Sequence, residues 1–262
     1  MMAPKIGFVG LGNMASALFE GLIQAGAIDP ANTIGYDIAQ SQVDYFHDKY
    51  AMVPASSELD VATWADIVIM GVKPDKLETV IGKIREAAKN KTIVSMVLGY
   101  NFERFHALVD PSTAHVTMMP NTPVKVSQGV ILFEQENNLK AEELEAVVEM
   151  FSKVATVKVL PASIFKGASV LTGCGPAYVY QIIEALSDGV VELGVPRDLA
   201  YELVSQTVLG SAMMQKETKL HPGILKDQVC SPGGITIKGV NALEKNGLRH
   251  ALIEGVKASS GK

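Results

Sequence analysis

Six residues near the amino terminus, Gly10-Leu11-Gly12-Asn13-Met14-Ala15, restrict the fold more than any other stretch of the chain. They follow a short apolar run, Lys5-Ile6-Gly7-Phe8-Val9, and precede a helical pattern that carries Leu18, Leu22 and Ile23 and stops at Gly26. The order is strand, G-x-G-x-x-A turn, helix. The first glycine of such a turn allows the sharp bend, and the second lets the backbone approach a pyrophosphate. The small third residue lets the helix lie close to the strand. Gly10, Leu11, Gly12, Asn13 and Met14 are therefore candidate dinucleotide contacts. Glycine-rich turns are common, so the flanking strand and helix carry this reading.

The next element adds to it. Thr33-Ile34-Gly35-Tyr36 reads as a second strand and ends at Asp37, at about the twenty-residue spacing expected of a ribose-binding acid. A carboxylate there accepts hydrogen bonds from two ribose hydroxyls, which suits NADH, and repels the additional phosphate of NADPH. The competing reading is a turn-forming Asp after a strand.

Strands and helices continue to alternate. Residues 56–64 read as a short helix, 66–70 as a buried strand, and Gly71-Val72-Lys73-Pro74 as a loop whose proline opens a helix over 75–89. Further strands are expected at 92–97, 115–119, 129–133 and 154–160, with a helix over 140–152. Such alternation predicts a parallel sheet covered by helices on both faces, with ligands at the carboxyl ends of the strands. Loops at Gly10, Asp37, Lys73, Gly99 and Asn121 then gather on one edge. Val72, Lys73 and Pro74 are candidate cofactor contacts; Lys73 meets a phosphate there or is simply a solvated charge.

The pattern changes after Pro161, so two domains are predicted: residues 1–160 bind a dinucleotide and residues 161–262 are all-helical. Gly173-Cys174-Gly175-Pro176 is expected to end one helix and open the next. Beyond it, Tyr178, Ile182, Leu186, Gly189, Val190 and Leu193 form an apolar stripe at helical spacing. The helix over about 197–216 has Glu202 as its only charge between Asp198 and Lys216. A helix that apolar needs cover on nearly all sides. So short a domain cannot provide it, and a homodimer through these helices is predicted.

Ser231-Pro232-Gly233-Gly234 stops another helical pattern, and Ile235-Thr236 begins the next. Paired glycines let the backbone approach a ligand, and a helix start points free N–H groups and a positive dipole end at the same place. The turn suits a small carboxylate or phosphate, with the Thr236 hydroxyl beside it. Taken alone, it reads more simply as a plain corner between two helices.

Composition closes off other classes. Acidic residues outnumber basic ones, 28 to 23, for a net charge of −5, which argues against a general nucleic-acid binder. The two cysteines, Cys174 and Cys230, stand far apart and suit a reduced compartment. The histidines, His47, His106, His115, His221 and His250, lack metal-ligand spacing, so no metal site is expected. The uncharged run 6–19 contains the glycine turn and meets Glu20, while 167–183 is short and broken by Gly173, Gly175 and Pro176. A soluble, cytoplasmic protein without a nucleic-acid or membrane partner is expected.

The chain resembles the pyrroline-5-carboxylate reductases along nearly its whole length. The text that carries the resemblance is Gly7-Phe8-Val9-Gly10-Leu11-Gly12-Asn13-Met14-Ala15, Val72-Lys73-Pro74 and Met119-Pro120-Asn121-Thr122-Pro123. It continues with Gly173-Cys174-Gly175-Pro176-Ala177-Tyr178, Gln206-Thr207-Val208-Leu209-Gly210, His221-Pro222-Gly223 and Leu225-Lys226-Asp227. Ser231-Pro232-Gly233-Gly234-Ile235-Thr236-Ile237 completes it and is close to diagnostic. The resemblance implies a Rossmann-type domain followed by an all-α dimerisation domain, in a homodimer or a higher assembly of dimers. It implies reduction of 1-pyrroline-5-carboxylate to L-proline, the last step of proline synthesis, with NADPH or NADH. The backbone of Gly234, Ile235 and Thr236 would hold the substrate carboxylate, and the Thr236 hydroxyl would meet the ring nitrogen.

Three positions depart from the family pattern. Cys174 replaces a usual serine, Lys166 stands where an acid is common, and Asp37 stands where NADPH-preferring members tend to carry a small hydroxyl residue. The family therefore points to NADPH and Asp37 to NADH. Two alternatives stay open. A β-hydroxyacid dehydrogenase shares Gly10-Leu11-Gly12-Asn13-Met14 but places a catalytic lysine soon after a glycine cluster, whereas no lysine follows Gly175 until Lys216. A non-catalytic nucleotide sensor would leave the Pro-Gly-Gly turn without a purpose.

Overall fold

A computed structural model describes residues 4–261. The chain divides into two compact units, one ending at Gly173 and the other beginning at Cys174. In the first, eight strands are β1 (Ile6–Val9), β2 (Thr33–Tyr36), β3 (Val53–Pro54), β4 (Ile67–Met70), β5 (Thr92–Ser95), β6 (Ala114–Met119), β7 (Gly129–Glu134) and β8 (Ala155–Leu160). They form one sheet in the order β3-β2-β1-β4-β5-β6-β7-β8. Pairing is parallel except between β6 and β7, which run antiparallel. The expected all-parallel sheet is corrected at that point. Only a 3-10 turn, Thr122–Val126, separates β6 from β7, and a connection that short has no room for a crossover helix.

The helices of this unit are α1 (Asn13–Gln24), α2 (Gln40–Tyr50), α3 (Glu58–Trp64), α4 (Leu77–Ile84), α5 (Phe102–His106) and α6 (Ala141–Ser152), followed by the long α7 (Ala162–Glu192). Two buried clusters line the two sheet faces. Leu18, Phe19, Phe46 and Phe151 pack with Phe8 on one face; Val61, Leu77, Ile81 and Phe105 pack with Val9 and Met70 on the other. The helix expected over 75–89 is shorter: a 3-10 turn, Pro74–Lys76, leads into α4, and turns carry the chain on to a left-handed Asn90.

Two features bind α1 to the segment after β6. Gly21 lies so close to that segment that a β-carbon there would stand 2.2 Å from the Val124 carbonyl oxygen. Beside it, buried Glu20 takes Lys125 Nζ at 2.7 Å and the hydroxyls of Tyr50 and Tyr45 at 3.0 and 3.1 Å. Burial pushes the Glu20 carboxyl up, but the bonds from Lys125, Tyr50 and Tyr45 together hold it below its ordinary value.

The expected break at Gly173-Cys174-Gly175-Pro176 is absent. Helix α7 runs without interruption through Pro176. An interior proline removes one helix hydrogen bond, crowds the carbonyl four residues back and costs about 3 kcal/mol. Here the carbonyl left without its donor is that of Thr172, and Asn121 Nδ2 donates to it at 3.0 Å. A side chain distant in sequence thus offsets part of what the proline removes.

His115 on β6 is fully buried, with its ring 4.6 Å from that of Phe102 and nearly parallel to it, and 5.1 Å from that of His106. Its Nδ1 has no hydrogen-bond partner among the described residues. Burial holds the imidazole below its ordinary pKa, the neighbouring His106 adds to this, and the Phe102 carbonyl opposes it. The folded state therefore resists a proton that the unfolded chain accepts near pH 6.5. Stability is full above that pH and declines as the pH falls through it. The urea midpoint is expected to drop between pH 7 and pH 5, and His115→Phe should flatten that slope. Glu20 and Glu58, held below their ordinary values, act in a lower window, below about pH 4.5. An equally steep slope in His115→Phe would refute the assignment.

The second unit contains the remainder of α7 with α8 (Arg197–Thr218), α9 (Pro222–Gln228), α10 (Ile235–Lys245) and α11 (Leu248–Ala258). Only Ser187, Ala200 and Val204 are buried among its described residues. Leu203, Leu209 and Met214 on α8 are 51%, 51% and 55% exposed. The helix expected to need cover on all sides is thus uncovered in the single chain. No described helix is long and apolar enough to cross a membrane.

Candidate functional site

The glycine turn begins where β1 ends. Gly10 has φ +91°, and a β-carbon there would stand 2.7 Å from the Gly71 carbonyl oxygen. The turns after β1 and β4 therefore pack against each other through two glycines. Gly12 is the N-cap of α1, which has no side-chain cap and no acid in its first turn. Its first N–H groups are free to meet an anion. A β-carbon on Gly12 would meet nothing within 4 Å among the described residues beyond its own chain neighbours and helix backbone. The space that this glycine faces is therefore open, and a pyrophosphate fits it.

Around this space the structure brings together Gly12, Asn13 and Met14 with Val72 and Pro74, all expected from sequence, and also Gly71, Met96 and Leu98. The last three were not expected. Met96 and Leu98 arrive because β5 lies beside β4 in register, which places the end of β5 next to the Gly71 turn. A glycine closing a buried strand was the available signal for Gly71. The Lys73 side chain is exposed and makes no hydrogen bond or ion pair among the described residues, while its carbonyl accepts the Lys76 N–H at 3.0 Å.

Asp37 does something that its spacing did not reveal. Its Oδ2 accepts the Leu11 N–H at 2.7 Å, and its Oδ1 accepts the Ala39 N–H at 2.8 Å. The carboxylate thus ties the glycine turn to the end of β2, beside the bond from Gly10 N–H to the Tyr36 carbonyl at 2.8 Å. Each carboxylate oxygen retains further capacity to accept hydrogen bonds, as ribose hydroxyls would require.

In the helical unit, the Gly234 N–H donates to the Ser231 carbonyl at 3.0 Å, closing a turn with Pro232 second and Gly233 third at φ +71°. That is the residue pattern of a type II turn. Gly234 is then the N-cap of α10, again without a side-chain cap or an acid in the first turn. Ile235 is 87% exposed. Thr236 is exposed as well, and its hydroxyl has no partner among the described residues. Ile235 and Thr236 therefore combine free N–H groups with an unengaged hydroxyl, while the Gly234 N–H closes the turn that presents them.

A mostly parallel sheet with a G-x-G-x-x-A turn, a carboxylate after β2 and an open pyrophosphate space defines a nicotinamide-dinucleotide-dependent oxidoreductase of Rossmann type. Comparison with known proteins narrows the class. Residues 162–262 match the family model described as pyrroline-5-carboxylate reductase dimerisation, and residues 5–99 match that described as NADP oxidoreductase, coenzyme F420-dependent. The chain is 36% identical to a pyrroline-5-carboxylate reductase of Methanosarcina acetivorans over 98% of its own length and 95% of the relative's. It is likewise 36% identical to that of Escherichia coli, over 97% and 95%. A crystal structure of the Plasmodium falciparum enzyme with NADP bound superposes with a TM-score of 0.89 at 32% identity, covering 100% of this chain and 97% of that one. The chain belongs to the pyrroline-5-carboxylate reductase family. Its uncovered helices belong to a dimerisation domain, so the chain is a homo-oligomer subunit.

Proposed function

We propose that the chain reduces 1-pyrroline-5-carboxylate to L-proline, the last step of proline synthesis, with residues 1–160 binding the cofactor and 161–262 forming the dimerisation and substrate domain. The observation that carries this reading is the exposed Pro-Gly-Gly-Ile-Thr turn, with its unengaged N–H groups and hydroxyl, in a chain that also holds an open dinucleotide turn. A bound dihydronicotinamide supplies the hydride that forms the new C–H bond at the imine carbon. The chain's residues do the rest. The N–H groups at the start of α10 hold the substrate carboxylate. Thr236 donates a hydrogen bond to the ring nitrogen, which takes up a proton from bulk water as the C=N bond becomes single. A threonine hydroxyl is too weak an acid to protonate the imine alone, so its role is to orient and to stabilise developing charge. Gly10, Leu11, Gly12, Asn13, Met14, Val72, Lys73 and Pro74 bind the dinucleotide. The assembly proposed is a dimer or dimers of dimers, in the cytoplasm, where the free thiols of Cys174 and Cys230 stay reduced; sedimentation as a monomer at micromolar concentration, or recovery with membranes, would count against it.

The test is oxidation of NADH and NADPH with pyrroline-5-carboxylate, and with a β-hydroxyacid in the reverse direction. Turnover of the first alone supports the reductase. Turnover of the hydroxyacid alone supports the dehydrogenase reading, and binding without turnover supports a sensor.

The family points to NADPH, whereas a carboxylate after β2 would accept hydrogen bonds from the ribose hydroxyls of NADH and repel the additional phosphate of NADPH. In Asp37→Ser the ratio of kcat/KM for NADPH over NADH should rise on the order of ten-fold, the effect of removing about 1.4 kcal/mol of charge repulsion. Affinity for both cofactors should fall, since the Leu11 N–H loses its acceptor. An unchanged ratio would show that Asp37 serves the glycine turn alone.

A further inference from the structure

Pro176 leaves the Thr172 carbonyl without a donor in its own helix, and Asn121 supplies one from outside. Asn121 is 8% exposed. Its Nδ2 donates to the Thr172 carbonyl at 3.0 Å while its Oδ1 accepts the Val130 N–H at 2.8 Å. The partners dictate the orientation of the amide, since a carbonyl can only accept and an N–H can only donate. One buried side chain therefore connects the end of β6, the start of β7 and the point where α7 is chemically interrupted.

Its place in the sheet gives this connection a function. Asn121 follows β6, on the same carboxyl edge as the glycine turn after β1 and Asp37 after β2. In sheets of this order, one nucleotide lies over the β1–β2 side and the other over the β4–β6 side. Asp37 marks the adenosine side, so Asn121 belongs to the reactive side. The 3-10 turn that follows Asn121 is pressed against α1 at Gly21 and tied to it by the ion pair between Lys125 and Glu20.

We propose that Asn121 is a positioning residue for hydride transfer: it replaces the donor that Pro176 removes from α7, and so fixes the reactive side of the cofactor edge to that helix. The proposal rests on the reductase reading above. Asn121 and Pro176 then act as a pair. With proline present and asparagine absent, the Thr172 carbonyl is unpaired; with alanine at 176, the helix satisfies that carbonyl itself, and the asparagine amide becomes dispensable.

The test compares the unaltered protein with Asn121→Ala, Pro176→Ala and the double variant, reading kcat, NADH Kd and the melting temperature of the cofactor-free protein. Asn121→Ala should lower kcat about ten-fold or more while Kd changes less than about three-fold, because the adenosine side stays anchored. In the Pro176→Ala background the same replacement should change kcat less than about three-fold and lower the melting temperature by less than half as much. Equal effects in both backgrounds would overturn the pairing, and parallel loss of kcat and cofactor affinity would overturn the positioning role. If Asn121→Ala alone does not fold, a folded double variant supports the pair and an unfolded one refutes it. If the unaltered protein does not reduce pyrroline-5-carboxylate, the reductase reading fails, and the melting-temperature cycle still decides whether Asn121 and Pro176 are coupled.

Discussion

Thr236→Ala should turn over pyrroline-5-carboxylate about 10- to 1000-fold more slowly than the unaltered chain, with its unfolding transition in place. The hydroxyl sits in the first turn of α10, exposed and without a partner among the described residues, so its removal disturbs no packing. What is lost is one preorganised donor aimed at a nitrogen that gains electron density in the transition state. Such donors contribute roughly 2–4 kcal/mol, which gives the stated range. Thr236→Ser keeps the donor and should retain most of the rate. Steady-state kinetics with a thermal melt on the same samples separates loss of chemistry from loss of fold. Turnover unchanged in Thr236→Ala would remove the residue from the mechanism.

Gly21→Ala should destabilise the cofactor unit strongly. The added carbon would stand 2.2 Å from the Val124 carbonyl oxygen and 3.0 Å from its carbon. Both are backbone atoms, in a turn that the ion pair of Lys125 with Glu20 also ties to α1 and that Asn121 anchors to β7. Overpacking usually costs about 1–3 kcal/mol, and a backbone obstacle puts this case at the upper end. A loss of about 3 kcal/mol corresponds to roughly 6–12 °C in melting temperature for a unit of this size. Gly82→Ala is the control. It lies within α4 and, its own helix backbone aside, no described residue comes within 4 Å of the new carbon, so it should be neutral or stabilising by up to about 1 kcal/mol. Equal melts for the two variants would show that α1 can shift away from Val124.

The glycine turn was legible in the sequence because everything that makes it is local: an apolar strand, two glycines, a small residue and a helix within a few turns of chain. The Pro-Gly-Gly turn was legible for the same reason. Asp37 was legible as a position but not as a tie, because its bond to the Leu11 N–H joins residues 26 apart and follows from β2 lying beside β1. Helix α2 escaped notice because only Val43 and Phe46 are buried on an otherwise polar helix, too few to mark a face. The direction of β7 was hidden, since a strand reads the same in either orientation. The continuity of α7 could not be read at all. The local rule that proline ends a helix was sound, and the side chain that serves the freed Thr172 carbonyl stands 51 residues from it in sequence.

Among its described residues, the helical unit has an interior of three side chains, Ser187, Ala200 and Val204. A single copy has almost nothing there to resist dissolution, so its order follows the law of mass action as much as the sequence. Dilution should then soften the half of the molecule that carries Thr236 before it touches the half that carries the glycine turn. Scarcity of the chain would lower the rate per molecule as well as the number of molecules, and binding of the dinucleotide would outlast catalysis.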